Sequence, residues 1–258
     1  MSKIVNRIGE ENYNSFDSKM IIKEYRGCMD IDVYFPEYDW TFKHAQYTHF
    51  KRGRIKCPYE RRYCGKGYLG EGKYKMSESG KNKKEYDIWY HMLERCYDPK
   101  YQEKYSTYKG CTVEEYLLNF QYMCEWLENN YYEIPGETMH LDKDILCKGN
   151  KIYSRDTCIF VPQRINKLFT KSDKARGYNP VGVYQLPSGN YQATCNDRNG
   201  KYIYLGAYST EEEAFQVYKQ YKEKVIKEVI DSYEGKIPEP HYSRLKTAMY
   251  NYEVEIDD

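Results

Sequence analysis

No stretch of this chain approaches the ~20 consecutive apolar residues that a membrane-spanning helix needs. Its start, MSKIVNRIGEENYN, lacks the apolar centre of a secretion signal. No two of the 9 cysteines form a C-x-x-C pair, and their number is odd. That pattern argues against a zinc ribbon and against the paired disulfides of a small secreted domain. No glycine-rich loop runs into a strong helix start, so no phosphate-cradling P-loop is read. Net charge is nearly absent too, at +1. These absences leave an intracellular chain with reduced thiols and no membrane partner as the expectation.

Tyrosine is abundant instead, at 32 of 258 residues, while mean hydropathy is -0.94. A large ring with a polar tip suits half-buried sheets and wet interfaces. The near-zero charge also hides blocks. Residues 43–84 hold 13 Lys/Arg against 3 Asp/Glu, 85–145 hold 5 against 13, and 146–202 hold 10 against 3. Two basic modules flanking an acidic one fit a chain that tracks phosphates.

Within residues 1–40, the alternation in Met29–Phe35 puts Ile31, Val33 and Phe35 on one strand face. The stretch from Tyr47 to Tyr74 interleaves Lys/Arg with Tyr between turn glycines, a composition suited to base stacking and phosphate neutralisation. Lys51, Arg52, Arg54, Arg61 and Arg62 are its candidate DNA contacts. After the polar hinge at 77–84, Tyr86, Trp89, Met92, Leu93 and Cys96 recur at helical spacing. A second helix is expected at about Val113–Asn129. His140 to Phe169 reads as strand, turn, strand and short helix, and 171–179 as a basic linker. Three strands then follow, joined by Ser188-Gly189 and Asn199-Gly200, both hairpin signals. Thr210 with Glu213 forms a capping box opening a helix to about Ile230. The last residues carry no assignable pattern.

A hairpin followed by a helix can hold one divalent metal that stabilises a scissile phosphate while a base activates water. The motifs Trp89, Met92, Arg95, Cys96 and Tyr97, then His140 to Asp144, then Tyr153 to Phe160 resemble the phage group of HNH (ββα-metal) endonucleases over residues 85–170. That resemblance implies Asp142 and Asn166 as ligands of magnesium or manganese. Its base position holds Lys143 and its orienting position Thr157, with His140 on the face of Asp142. Lysine is a poor base near neutral pH, so nicking and its loss both stay open.

The string Gly182, Val183, Tyr184, Gly189, Tyr191, Ala193, Gly200, Lys201, Leu205, Gly206, Thr210, Glu212, Glu213 and Ala214 resembles the APETALA-type (ethylene-response-factor) DNA-binding domain. That family lays a three-stranded sheet, backed by one helix, in the major groove. By position, Tyr184, Gln185, Tyr191, Thr194, Arg198, Lys201 and Tyr202 are the implied DNA contacts.

The expectation is an α+β, multi-module chain. A basic β unit (1–76), an HNH-like core (77–172), an APETALA-type domain (177–232) and a tail (233–258) would succeed one another. Its partner would be double-stranded DNA, in the cytoplasm of a bacterial host cell. Two functions follow: a metal-dependent nicking enzyme of the homing type, or a catalytically dead DNA-binding, host-defence or regulatory protein with a host protein as further partner.

Overall fold

A computed structural model describes residues 6–170 and 179–256. All but the last residue of the expected 171–179 linker lies outside them. The fold is α+β, with helices and several separate sheets. Among the described residues no helix is long and apolar enough to cross a membrane. The chain divides into two compact units, Met1–Glu128 and Asn129–Asp258. The sequence instead placed its breaks near 77, near 173–176 and near 233.

The first unit opens with an antiparallel meander of β1 (Glu11–Tyr13), β2 (Lys19–Gly27), β3 (Asp30–Phe35) and β4 (Trp40–Ala45). Ile31, Val33 and Phe35 are buried as their alternation predicts, joined by Met20, Ile22, Ile55 and by Phe50 from α1 (Tyr47–Lys51). Each such side chain contributes roughly 1.5–3 kcal/mol on leaving water. The hinge at 77–84 is a small hairpin, β5 (Ser77–Glu78) and β6 (Lys81–Asn82), leading into α2 (Lys84–Tyr97). Trp89, Met92, Leu93 and Cys96 are buried along α2, and the Trp89 indole donates to Leu117 O at 2.9 Å. Gly67 lies so close to this helix that a Cβ there would collide with Leu93 and Trp89. The basic stretch is therefore docked on the helices.

After α3 (Pro99–Lys104) and the two-residue strand β7 (Thr112–Val113), the second helix departs from expectation. It is split into α4 (Glu115–Leu118) and α5 (Phe120–Asn130). Asn119 turns extended at the break, where Tyr68 N donates to Leu118 O and Phe120 N donates to Tyr68 O. Two tertiary backbone bonds there replace the helical ones. Propensity alone could not announce that exchange.

The second unit holds β8 (Met139–Asp142), β9 (Ile152–Tyr153), β10 (Ile159–Pro162) and α6 (Gln163–Leu168). The sheet β11 (Val183–Gln185), β12 (Tyr191–Asn196) and β13 (Tyr202–Tyr208) follows, then α7 (Glu211–Asp231) and α8 (His241–Tyr250). The capping box of α7 forms as expected, with Glu213 N donating to Thr210 Oγ1 and Thr210 N to Glu213 Oε2, both at 3.2 Å. Ala214, Tyr218, Val225 and Val229 are buried as expected, whereas Val217 and Tyr221 are half-buried and Phe215, Ile226 and Ile230 fill the core. The unassigned tail is the helix α8, which buries Leu245 and Met249 against α7. One continuous core takes in Ile159 and Val161 of the hairpin, Ile165 of α6, Val183 and Ala193 of the sheet, α7 and α8.

Candidate functional site

Strands β8 and β10 pair antiparallel, with Ile159 opposite Asp142 and Val161 opposite His140. Helix α6 follows β10 directly and packs on both strands, giving a β–β–α order. His140 and Asp142 alternate on one face of β8. Asp142 Oδ1 accepts the backbone N–H of Asp144 at 2.8 Å and of Ile145 at 2.7 Å, closing a turn. Burial, with the charge of Asp144 adding to it, pushes the Asp142 carboxyl up to about 6 despite those two donors.

Lys143, at the base position, is 6% exposed, and its ammonium donates to Asp144 Oδ2 at 2.7 Å. It also lies 5.9 Å from the Tyr153 ring centroid. The ammonium is thus engaged by the neighbouring carboxylate. Thr157, at the orienting position, is bonded within its own turn. Its hydroxyl donates to Ile152 O at 3.0 Å and shares a 2.7 Å bond with Ser154 Oγ, a self-contained turn. The residue that reaches Lys143 is Asn150, whose Nδ2 donates to the carbonyls of Lys143 and Ile152, each at 2.7 Å. In the sequence it stood only as part of a polar turn. Asn166 is half-buried on α6, and its side chain makes no hydrogen bond among the described residues.

A divalent metal of this kind needs several hard oxygen donors. At the hairpin one carboxylate oxygen is spent on two amides, and a buried ammonium stands in the adjoining position. No three His, Cys, Asp or Glu side chains converge there among the described residues. Such a trio exists at Asp30, Asp32 and His44 in the first unit, but the Arg26 guanidinium bonds both aspartates and supplies the positive charge. The hairpin residues do not fit the metal that the HNH resemblance implies.

The three-stranded sheet offers a different surface. Val183, Ala193 and Cys195 point into the core beneath α7, so the alternate positions face outward. Register puts Tyr184 opposite Gln192, Thr194 opposite Tyr204 and Asn196 opposite Tyr202. Tyr184, Tyr202 and Tyr204 are 49%, 60% and 57% exposed, and Gln192 Nε2 donates to Tyr202 Oη at 3.1 Å. Tyr204 and Gln192 were missed from the sequence, although their two-residue spacing from Tyr202 and Thr194 carried the signal. Two expected contacts are corrected. Thr194 has the outward register but is only 5% exposed, opposite the large Tyr204, and Tyr191 packs against the core. Gln185 is exposed but shares Tyr191's register and lies 3.4 Å from its hydroxyl.

At the rim, Arg198 and Lys201 are exposed on the turn between β12 and β13. Asp197 organises this turn, its Oδ1 accepting N–H of Asn199 at 2.8 Å and of Lys201 at 2.9 Å. The Lys201 N–H holds the Asp197 carboxyl below its usual value. The turn's acid is thus occupied by two backbone N–H donors, those of Asn199 and Lys201.

The candidate cations of the first unit divide. Lys51 pairs with Glu10 at 3.4 Å, and Arg61 bonds Glu115 while lying over Tyr68. Arg62 is largely buried beside Glu60, at 3.5 Å, so it is no surface contact. Arg52 and Arg54 stand exposed without an ion-pair partner among the described residues. The chain matches no family model, no curated protein and no solved structure.

Proposed function

We propose that this chain is a duplex-DNA-binding protein of the phage type that reads the major groove with its three-stranded sheet and does not cleave the backbone. The observation that carries the reading is the outward sheet face. Tyr184, Gln192, Tyr202 and Tyr204 form an uncharged, hydrogen-bonding aromatic surface with Arg198 and Lys201 at its edge. The outward positions of the three strands include no acid. Amides and hydroxyls suit base edges and arginine and lysine suit phosphates, so the arrangement separates reading from gripping. Neighbouring strands lie about 4.8 Å apart, so the outer strands of three are about 10 Å apart. That is comparable with a major groove about 12 Å wide. Lys143 and the committed Asp142 support binding over hydrolysis.

The test is full-length protein titrated into labelled phage-genome duplex fragments at several salt concentrations, with a parallel nicking assay in magnesium and in manganese. Binding should weaken steeply with salt, by a log–log slope of about −0.9 per phosphate contacted. Replacing Tyr202 and Tyr204 together by Ala should weaken duplex binding about tenfold or more. Nicking that Asp142→Ala abolishes would overturn the reading in favour of the enzyme. Salt-insensitive or absent duplex binding would overturn it altogether.

A further inference from the structure

We infer that the first unit carries a second nucleic-acid site, specific for single strands, built around Phe16 and the row Arg52, Arg54 and Lys56. It belongs to the other unit from the sheet face and does not depend on that reading.

Phe16 is 44% exposed at the tip of a turn from Asn14 to Ser18. The turn is preset. Asn14 is 5% exposed, and its Oδ1 accepts N–H of Phe16 at 2.9 Å and of Ser18 at 3.1 Å. Its Nδ2 donates to Ile55 O at 3.0 Å and to the buried Glu60 carboxylate. Ser15 N donates to Gly53 O at 3.0 Å. Gly53, at φ +62, comes close enough that a Cβ would sit 2.8 Å from Tyr13 O. The turn and the 53–55 segment are therefore bolted together, and the ring is held out by a rigid support.

Cations surround it. Lys56 Nζ and Arg62 Cζ lie 5.5 and 5.4 Å from the Phe16 ring centroid. Along the same segment Gly53, Ile55 and Cys57 are buried while Arg52, Arg54 and Lys56 are exposed, so all three charges reach solvent. Asp17 is the only acid within the turn itself, and Glu60 is buried. Tyr13, 57% exposed, adds a second ring next to the turn.

An exposed ring with Lys56 beside it, and with the exposed Arg52 and Arg54 on the adjoining segment, matches an unstacked base and its phosphates. Bases within a duplex offer a protein their edges, whereas a single strand offers their faces. An acidic peptide would use the cations but leave the rigidly presented ring without a planar partner. The occupant is single-stranded DNA or RNA, with the shared chemistry of base face and phosphate.

The experiment is fluorescence anisotropy of full-length protein with 5′-fluorescein 12-mers of thymidine or uridine. Binding should fall about tenfold in Phe16→Ala, in line with one stacked base, and persist in Phe16→Tyr. Arg54→Ala with Lys56→Ala should lower the salt slope by about 0.7 per lost phosphate contact. Tyr202→Ala with Tyr204→Ala should leave single-strand binding unchanged while reducing duplex binding, which separates this site from the sheet. Wild-type affinity in Phe16→Ala would overturn the inference. So would binding of a polyglutamate peptide, lost in the Arg54/Lys56 double variant, with no binding of either oligonucleotide.

Discussion

Asn150 ties its own side chain to the backbone carbonyl of Lys143, 2.7 Å away, and so fixes the loop that follows the first strand of the hairpin. The same amide reaches Ile152 O, so one residue spans both ends of the loop. Asn150→Ala should therefore leave two carbonyls without this donor and cost roughly 1–3 kcal/mol. Thermal melts of the full chain check this. Thr157→Val, which loses two bonds confined to a local turn and leaves the Lys143 carbonyl bonded, should cost less, and the reverse order would contradict the assignment of the two residues.

Asp142 gives a pH signature. Its carboxyl rises from an ordinary 3.8 to about 6 on folding, because burial disfavours the charge. Below about pH 4 it is protonated in both states and exerts no penalty. As pH climbs to about 6 the unfolded chain ionises first, and native stability declines by on the order of 2 kcal/mol. Asp142→Asn keeps an oxygen for the two N–H donors and has no charge to lose. Urea titrations between pH 4 and 7 should show its stability less dependent on pH than that of the parent, and an unchanged slope would remove burial as the cause.

Lys143 and Asp144 form a pair with one buried and one half-exposed end, 7% and 44% by side chain. Lys143→Met preserves the apolar stem and should stay within about 1 kcal/mol of the parent, since a well-packed apolar replacement can match such a pair. Lys143→Ala should cost more, through the space it leaves. Neither should alter duplex affinity. A large affinity loss in Lys143→Met, with stability retained, would show that the ammonium reaches DNA.

Gly182 packs against Tyr218 of α7 at φ +74, and a Cβ there would collide with the ring. Gly189, at φ +90, faces open space. Gly189→Ala should cost about 1–2 kcal/mol from the backbone alone. Gly182→Ala should cost that and the displacement of Tyr218 as well. Equal melting temperatures for the two variants would contradict the close packing of strand and helix.

Much of the architecture was legible because it rests on local signals. The Asn199-Gly200 turn, the Thr210–Glu213 box and the Ile31/Val33/Phe35 alternation each act over a few residues, and each is present. The break at Asn119 and the tail helix were not legible. The first depends on Tyr68, 51 positions away, offering backbone bonds, and the second on apolar positions that only α7 makes coherent. At the candidate sites sequence matching named Tyr184, Tyr202, Arg198 and Lys201, all of which are exposed. It named Thr194, Tyr191 and Arg62 as well, because motif position says nothing of what a large neighbour covers or what a buried carboxylate draws inward.

Leu245, Met249 and Val254 enter the same apolar interior as Val161 and Ala193. Residues 241–254 are thus a keystone: the hairpin and the sheet both lean on them, though neither is near them in sequence. Shortening the chain at residue 233, where the sequence showed no assignable pattern beyond, would release both elements together. The groove-reading face would then vanish in the same melting event as the hairpin.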